Sequence, residues 1–409
     1  MSQPSDPPSL STLALPLSAS MLALMLAALA MLGPFSVDTY LPAFPAIGQA
    51  LAATPIEVQQ TLTTYMFAFA IMTLWHGALS DTFGRRNTIL AALAIFALAT
   101  LGCLFAPSIE SLWAFRILQG LSAGAGMVIG RAIIRDLYVG APAEKLLALV
   151  MMIFSAAPAI APIFGGWIVK LFDWRYISLF LLIYAVALLW WCYLRLPETL
   201  PPAHRQPLHP RSLFQRYAII FRNPLFHLRA GTVAFNFAGL FLYVAAAPAF
   251  VIEHLGLGPH QFGWQFVPAV LGIFLGSLCA NRLAGRIPIS TQVKFGFLIL
   301  ISAALMNALY HTWLPPSLPW SVIPLFFYAC GSAMITPGAT MLVLDLFPEM
   351  RGTLASCQSF TQIMLGAIVA GIVAPFLDDS VWSLALGQLA FGLLALACWT
   401  LGRTYPSRR

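Results

Sequence analysis

Apolar runs of about twenty residues recur along nearly the whole of this 409-residue chain, broken only by short polar gaps. A run of that length is what an α-helix needs to cross roughly 30 Å of hydrocarbon. Only 9% of the residues are charged and 60% are apolar, whereas an ordinary soluble domain carries about a quarter charged residues. A soluble protein could not cover its surface with so little polarity, so lipid is the solvent in which this chain folds.

Set against the polar gaps, the runs predict spans over 17–41, 55–79, 87–106, 109–134, 144–170 and 175–196. After a polar stretch at 197–225, rich in Pro, His and Arg, further spans are expected over 226–252, 260–284, 291–313, 319–346, 352–377 and 380–402. The expected fold is an all-α polytopic membrane protein of twelve transmembrane helices. They divide into two six-helix bundles, 17–196 and 226–402, joined by a cytoplasmic linker at 197–225 that reads as a solvated loop. The Pro/Ser-rich tail at 1–16 is expected to be disordered, and 403–409 forms a short second tail. The gaps that begin with Arg85-Arg86 and alternate thereafter hold almost every loop Lys and Arg, while the other set holds only Lys170 and Arg175. That bias places both termini in the cytoplasm.

The net charge of +7 is therefore a topology signal rather than a nucleic-acid surface. The six cysteines stand singly inside apolar stretches, with no C-x-x-C pair and no metal-ligand spacing. They read as small core hydrophobes, and no metal or cofactor is expected. The first apolar run lacks a basic n-region and reads as a span rather than a cleaved leader.

Four stretches carry mechanism. In Gly77-Ala78-Leu79-Ser80-Asp81-Thr82-Phe83-Gly84-Arg85-Arg86, Gly77 allows close helix approach, Gly84 a tight turn, and Asp81 can bond to the two arginines. A looser copy, Asn281-Arg282-Leu283-Ala284-Gly285-Arg286, follows span eight, as expected of two parallel six-span repeats. The second stretch is Arg116-Ile117-Leu118-Gln119-Gly120, which puts an arginine inside span four, where a charge must face a cavity or a partner. The third, Ala157-Pro158-Ala159-Ile160-Ala161-Pro162-Ile163-Phe164-Gly165-Gly166, combines small residues every four positions with two prolines, giving close packing and a bend. The fourth is Ser36-Val37-Asp38-Thr39-Tyr40-Leu41-Pro42, which holds the only carboxylate of span one.

The first stretch resembles the loop between helices two and three of the major facilitator superfamily, and the second its R-x-x-Q-G motif. The third is similar to the G-x-x-x-G-P-x-x-G-G signature of its proton-coupled exporters, with Ala in place of two glycines. The fourth, with Arg131-Ala132-Ile133-Ile134-Arg135-Asp136 and Asp173-Trp174-Arg175, resembles the bicyclomycin-resistance (Bcr/CflA) branch of drug:proton antiporters. In the fold this resemblance implies, helices one and four line the cavity, so that Asp38 and Arg116 could meet and couple proton movement to transport. The conformational motif residues would be Gly77, Asp81, Gly84, Arg85, Arg86, Gln119, Gly120, Pro158, Pro162, Gly165 and Gly166.

An amphipathic substrate suits an apolar cavity with few polar groups. Tyr40, Tyr65, Asn236, Phe237, Tyr243, Phe360 and Gln362 are the candidate substrate residues. The reading is a monomeric, proton-coupled exporter of small amphipathic or drug-like molecules in a bacterial inner membrane. Its partners are the substrate, protons and membrane lipid, with no nucleic acid. An importer or metabolite carrier of the same fold is the alternative, and a membrane-embedded enzyme a remoter one. Against an enzyme, the chain has no H-E-x-x-H zinc motif, and the absence of a Walker-type phosphate loop argues against an ATP-driven pump.

Overall fold

The computed structural model describes residues 18–405, so the expected tail at 1–16 and the 406–409 part of the tail expected at 403–409 lie outside the described residues, while Arg403 and Thr404 belong to the last helix. Among the described residues, twelve helical segments are long and apolar enough to span a membrane. The first half contains α1 (Ala19–Asp38), α2 (Phe44–Leu51), α3 (Pro55–Phe83), α4 (Arg85–Leu104), α5 (Ile109–Ala123), α6 (Ala125–Leu137), α7 (Ala141–Phe154), α8 (Ala157–Leu171) and α9 (Arg175–Arg195). After α10 (Pro210–Phe221) come α11 (Pro224–Ala245), α12 (Gly263–Leu283), α13 (Ile289–Trp313), α14 (Ile323–Leu344), α15 (Arg351–Ile368), α16 (Ala374–Leu377) and α17 (Val381–Thr404).

Local chemistry explains the starts. Thr54 and Glu57 form a reciprocal capping box ahead of α3, with Pro55 at the first helical position, where its missing N–H costs nothing. Ser108 and Ser111 do the same for α5.

Several spans are interrupted rather than straight, which the apolar runs alone did not resolve. Span one extends to Leu51 instead of ending near residue 41: α1 stops at Asp38, a short 3₁₀ turn at Leu41–Ala43 follows, and α2 completes the crossing. Pro42 and Pro45 cannot donate to a continuing helix, which accounts for the break. Span four divides at Gly124 and span five at Ser155-Ala156, just before Pro158. Spans seven and eleven loosen into π-helical turns at Ala249–His254 and Val369–Val373.

Within the first half α3 packs on α5, α4 on α5 and α9, and α1 on α6, α7, α8 and α9. Within the second, α12 and α13 both pack on α14, while α17 packs on α11 and α13. Small residues permit the closest crossings, as expected where helix association rests on van der Waals contact. A Cβ on Gly120 would stand 2.2 Å from the Tyr65 carbonyl oxygen, and one on Gly276 2.2 Å from that of Cys330. Large side chains such as Phe105, Trp190, Leu298 and Phe376 point outward, where hydrocarbon accepts them.

The halves meet mainly through α3 against α15 and α8 against α12. Near the 52–54 turn, Gln59 Nε2 donates to the Ala370 and Ala245 carbonyls at 3.0 and 3.2 Å, and Gln60 Nε2 to Gly371 at 3.1 Å. The 197–225 stretch is not simply a solvated loop. Its α10 buries Tyr217 and Ile220, and Tyr217 Oη donates to the Leu74 carbonyl of α3.

Gly77 does not sit at a close approach: a Cβ there would meet nothing within 4 Å, because no neighbouring helix covers that face of α3. Gly120→Ala should therefore destabilise the protein by about 1–3 kcal/mol through overpacking against α3, while Gly77→Ala should shift stability by no more than about 0.5 kcal/mol. Thermal denaturation of the two purified variants in one detergent would show it, and equal melting temperatures would refute this account of the crossing.

Candidate functional site

The break in α1 leaves the last carbonyls of that helix without intrahelical donors. Thr39 and Tyr40 N–H groups turn back to Phe35 and Val37, which leaves the Ser36 carbonyl free. Arg116, 1% exposed in α5, donates from Nη1 to that oxygen at 3.2 Å. A cation at the negative end of a helix is favoured, and the low-polarity surroundings strengthen the interaction. Its Nε donates to the Thr61 carbonyl of α3 at 3.4 Å, and Nη1 also to Gln119 Oε1 at 2.9 Å. Gln119 Nε2 in turn donates to Thr100 Oγ1 of α4 at 2.8 Å. Tyr40 and Tyr65 close the cradle, with ring centroids 4.5 and 4.3 Å from the guanidinium carbon. Arg116 thus ties α1, α3, α4 and α5 together and does not snorkel to a surface.

Asp38 is the last residue of α1 and is 6% exposed. Among the described residues it is the one buried carboxylate, and its oxygens have neither a hydrogen-bond donor nor a cation within 4.0 Å. The expected meeting of Asp38 with Arg116 does not occur in this conformation. Arg116 is committed to the Ser36 carbonyl two residues earlier, and its one unpartnered nitrogen, Nη2, is buried. The two charges share a level without forming an ion pair.

The proline and glycine stretch of α8 lies against this break. Pro158 opens the helix after its interruption and Pro162 stands within it. A Cβ on Gly165 would come 2.1 Å from the Thr39 carbonyl oxygen, and one on Gly166 2.0 Å from that of Pro259 in the other half. Both glycines are required by backbone contact, one toward each half.

At the opposite end of α3, Gly84 adopts φ 95°, the left-handed turn expected of a glycine. Arg85 is buried and pairs with Asp81 and, at 3.1 Å, with Asp136, and its backbone N–H donates to Glu198 Oε1 at 2.9 Å. Arg86 instead stacks over Tyr193 and donates to that residue's carbonyl at 2.7 Å.

The candidate substrate residues do not converge. Tyr40 and Tyr65 belong to the arginine cradle. Phe237 stacks on Phe241, and both approach Gly366 of α15 together with Met66 of α3, at the meeting of the halves. Gln362 is half-buried one turn away on α15. Asn236 and Tyr243 are both buried inside the second half. Asn236 Nδ2 donates to Ser332 and Thr336, and Tyr243 accepts from Asn307, which also donates to Gln388. Phe360 packs edge-on against Phe221 of α10, at the linker end. Sequence reading missed Gln59, Gln60, Asn307 and Gln388. Their signal was present as amides inside apolar runs, which are costly unless bonded. His76 packs near Gly124 with neither ring nitrogen partnered.

The letters G-x-S-x-G do occur, at Gly120-Leu121-Ser122-Ala123-Gly124. Ser122 lies within α5 and donates to the Leu118 and Gln119 carbonyls. A nucleophile elbow needs a strand-to-helix turn that exposes the serine.

The family model described as Major Facilitator Superfamily matches residues 24–362 and again 230–409. The chain is 29% identical over 362 residues to a bicyclomycin resistance protein homolog of Haemophilus influenzae, covering 87% of this chain and 89% of that one. It is 27% identical over 380 residues to multidrug resistance protein D of Escherichia coli K12, covering 92% and 94%. Among solved structures, a D-xylose-proton symporter superposes with a TM-score of 0.68 at 16% identity, covering 92% of this chain and 97% of that one, which is a likeness of fold.

The arginine cradle makes a stability prediction. Arg116→Lys keeps the charge but loses the planar stack between two rings and the spread of donors. With a desolvated cation–π contact worth up to about 2 kcal/mol, the lysine variant should melt several degrees below the parent in detergent. An unchanged melting temperature would mean that charge alone, and not the guanidinium plane, organises the four helices.

Proposed function

Because the chain belongs to the major facilitator superfamily, we propose that it exports small amphipathic or drug-like molecules by alternating access, in exchange for protons. It is a transporter and not an enzyme, a multi-pass protein of the bacterial inner membrane that carries small molecules. The relatives named for bicyclomycin resistance and multidrug resistance support a drug-like cargo. The positive-inside bias supports placing the linker and both termini in the cytoplasm. The working unit is taken as a monomer.

One observation carries the proton coupling: Asp38 is buried and partnerless at a helix break. An isolated ionised carboxylate away from water is expensive, and a bound proton removes that cost. A cationic or polar substrate group arriving beside Asp38 removes it too. Proton and substrate then compete for one group, which is the requirement for exchange. Arg116 holds the α1 break in register while this happens. Phe237, Gln362, Tyr40 and Tyr65 supply apolar and aromatic surface where the halves meet. Asp81, Arg85 and Asp136 brace the linker end, and Gln59, Gln60 and Gly166 close the opposite end in the conformation described.

Asp38→Asn should insert normally and bind substrate, yet lose export driven by a pH gradient, with at least a tenfold fall in rate. Substrate uptake into everted vesicles, with and without the gradient, measures this. Undiminished transport by the variant would remove Asp38 from the mechanism, and accumulation in right-side-out vesicles would turn the direction to import.

Alternating access requires the 52–54 end to open. A Cβ on Gly371 would lie 3.2 Å from Thr63 Cβ, within reach of a disulfide after slight adjustment. In a background with the native cysteines replaced, Thr63→Cys with Gly371→Cys should stop transport on oxidation and regain it on reduction. Full activity of the cross-linked protein would show that these ends need not part.

A further inference from the structure

Away from the meeting of the halves, the linker end of the second half has a half-open cavity of about 340 Å³ between α11, α13, α14 and α17. Four helix ends bound it: Leu225, Arg229 and Thr232 of α11, Ile289 and Ser290 at the start of α13, Ala339 and Leu342 of α14, and the last turns of α17 with Arg403 and the following Tyr405.

The lining has two arginines, hydroxyls from Thr232, Ser290 and Tyr405, and no carboxylate. Arg229 is half-buried and fixed by one bond, Nη1 to the Leu342 carbonyl at 2.6 Å. A guanidinium has five N–H donors, so most of its capacity remains. Arg403 lies over the Trp399 ring with its guanidinium carbon 5.9 Å from the centroid, and it has no ion pair among the described residues. Asp345, the acid whose field reaches Arg229, is engaged by Arg351 at 3.1 Å. The cavity therefore holds two cations and no compensating anion, at the depth where headgroups lie.

We propose that this cavity binds the phosphate of an anionic phospholipid headgroup, with Arg229 and Arg403 as its cationic contacts. Basic pockets between transmembrane helices on the cytoplasmic side are suited to such headgroups. Leu225, Ile289, Ala339, Leu342 and Trp399 give the site an apolar wall. A lipid's glycerol and first methylenes cover that wall, whereas free phosphate, which stays hydrated, gains nothing from it. The lipid joins the two ends of the second half, α11 and α17, to α13 and α14 without entering the path between the halves.

The test uses the full-length protein in nanodiscs of phosphatidylcholine doped with phosphatidylglycerol, with lipid occupancy read by native mass spectrometry and stability by thermal denaturation. Phosphatidylglycerol should bind at least tenfold more tightly than phosphatidylcholine and raise the melting temperature. The double variant Arg229→Gln with Arg403→Gln should lose that preference, given the effect of each basic residue near an anionic surface. Arg282→Gln with Arg286→Gln, which removes basic residues outside the cavity, should keep it. Ala339→Trp, which fills the cavity and leaves both charges, should also lose it, so the test survives if the double arginine variant folds poorly. Equal occupancy by the two lipids, or an equal loss in the Arg282 and Arg286 variant, would overturn the proposal. So would inorganic phosphate that gives the same stabilisation in detergent and displaces the lipid.

Discussion

In hydrocarbon an unbonded backbone group costs several kcal/mol, and a buried charge costs more unless it is paired and hydrogen-bonded. The first half is organised around one place where both costs arise and offset each other. The prolines after Asp38 end α1 early and leave the Ser36 carbonyl without a donor, and Arg116 arrives from α5 with donors and no carboxylate. The helix end satisfies the arginine and the arginine satisfies the helix end. Gln119, Thr100, Thr61 and the two tyrosine rings absorb what remains of the guanidinium, so four helices are fixed by one side chain.

The second half meets the same constraint without charge. Asn307 bridges Tyr243 of α11 and Gln388 of α17, and Gln388 reaches the Gly239 carbonyl at 3.5 Å. Gln265 donates to the Tyr243 carbonyl at 2.6 Å. Neutral amides hold the angles between these helices, and none of them titrates in the working range. The two halves are therefore chemically unequal, one held by a buried guanidinium and the other by neutral amides.

Spans were legible in the sequence because length and apolarity are what hydrocarbon selects for. The turn at Gly84 and the pairing of Asp81 with Arg85 were legible because both are local. What escaped was set by partners far along the chain. Whether Gly77 meets a helix depends on where the neighbouring spans pass, and none covers it. Tyr243 carries the same hydroxyl whether it faces a cavity or Asn307, and only the placement of α13, some sixty residues on, decides between them. The family resemblance put Asp38 and Arg116 on helices that line one cavity. Their failure to pair followed from a carbonyl freed by a helix break that hydropathy does not register.

That break is also where the halves touch indirectly. Gly165 and Gly166 are adjacent on α8, and successive positions on a helix point about 100° apart. One therefore rests on Thr39, next to Asp38, and the other on the Pro259 turn of the second half. Neither contact has slack, since each brings α8 against backbone rather than against the end of a flexible side chain. A shift of the Pro259 turn has to be taken up by α8, and the neighbouring residue of α8 bears on the α1 break. The interruptions at Ser155-Ala156 and Asp38 leave both helices able to hinge there. Two backbone contacts through α8 thus link the second half to the residue beside the lone carboxylate.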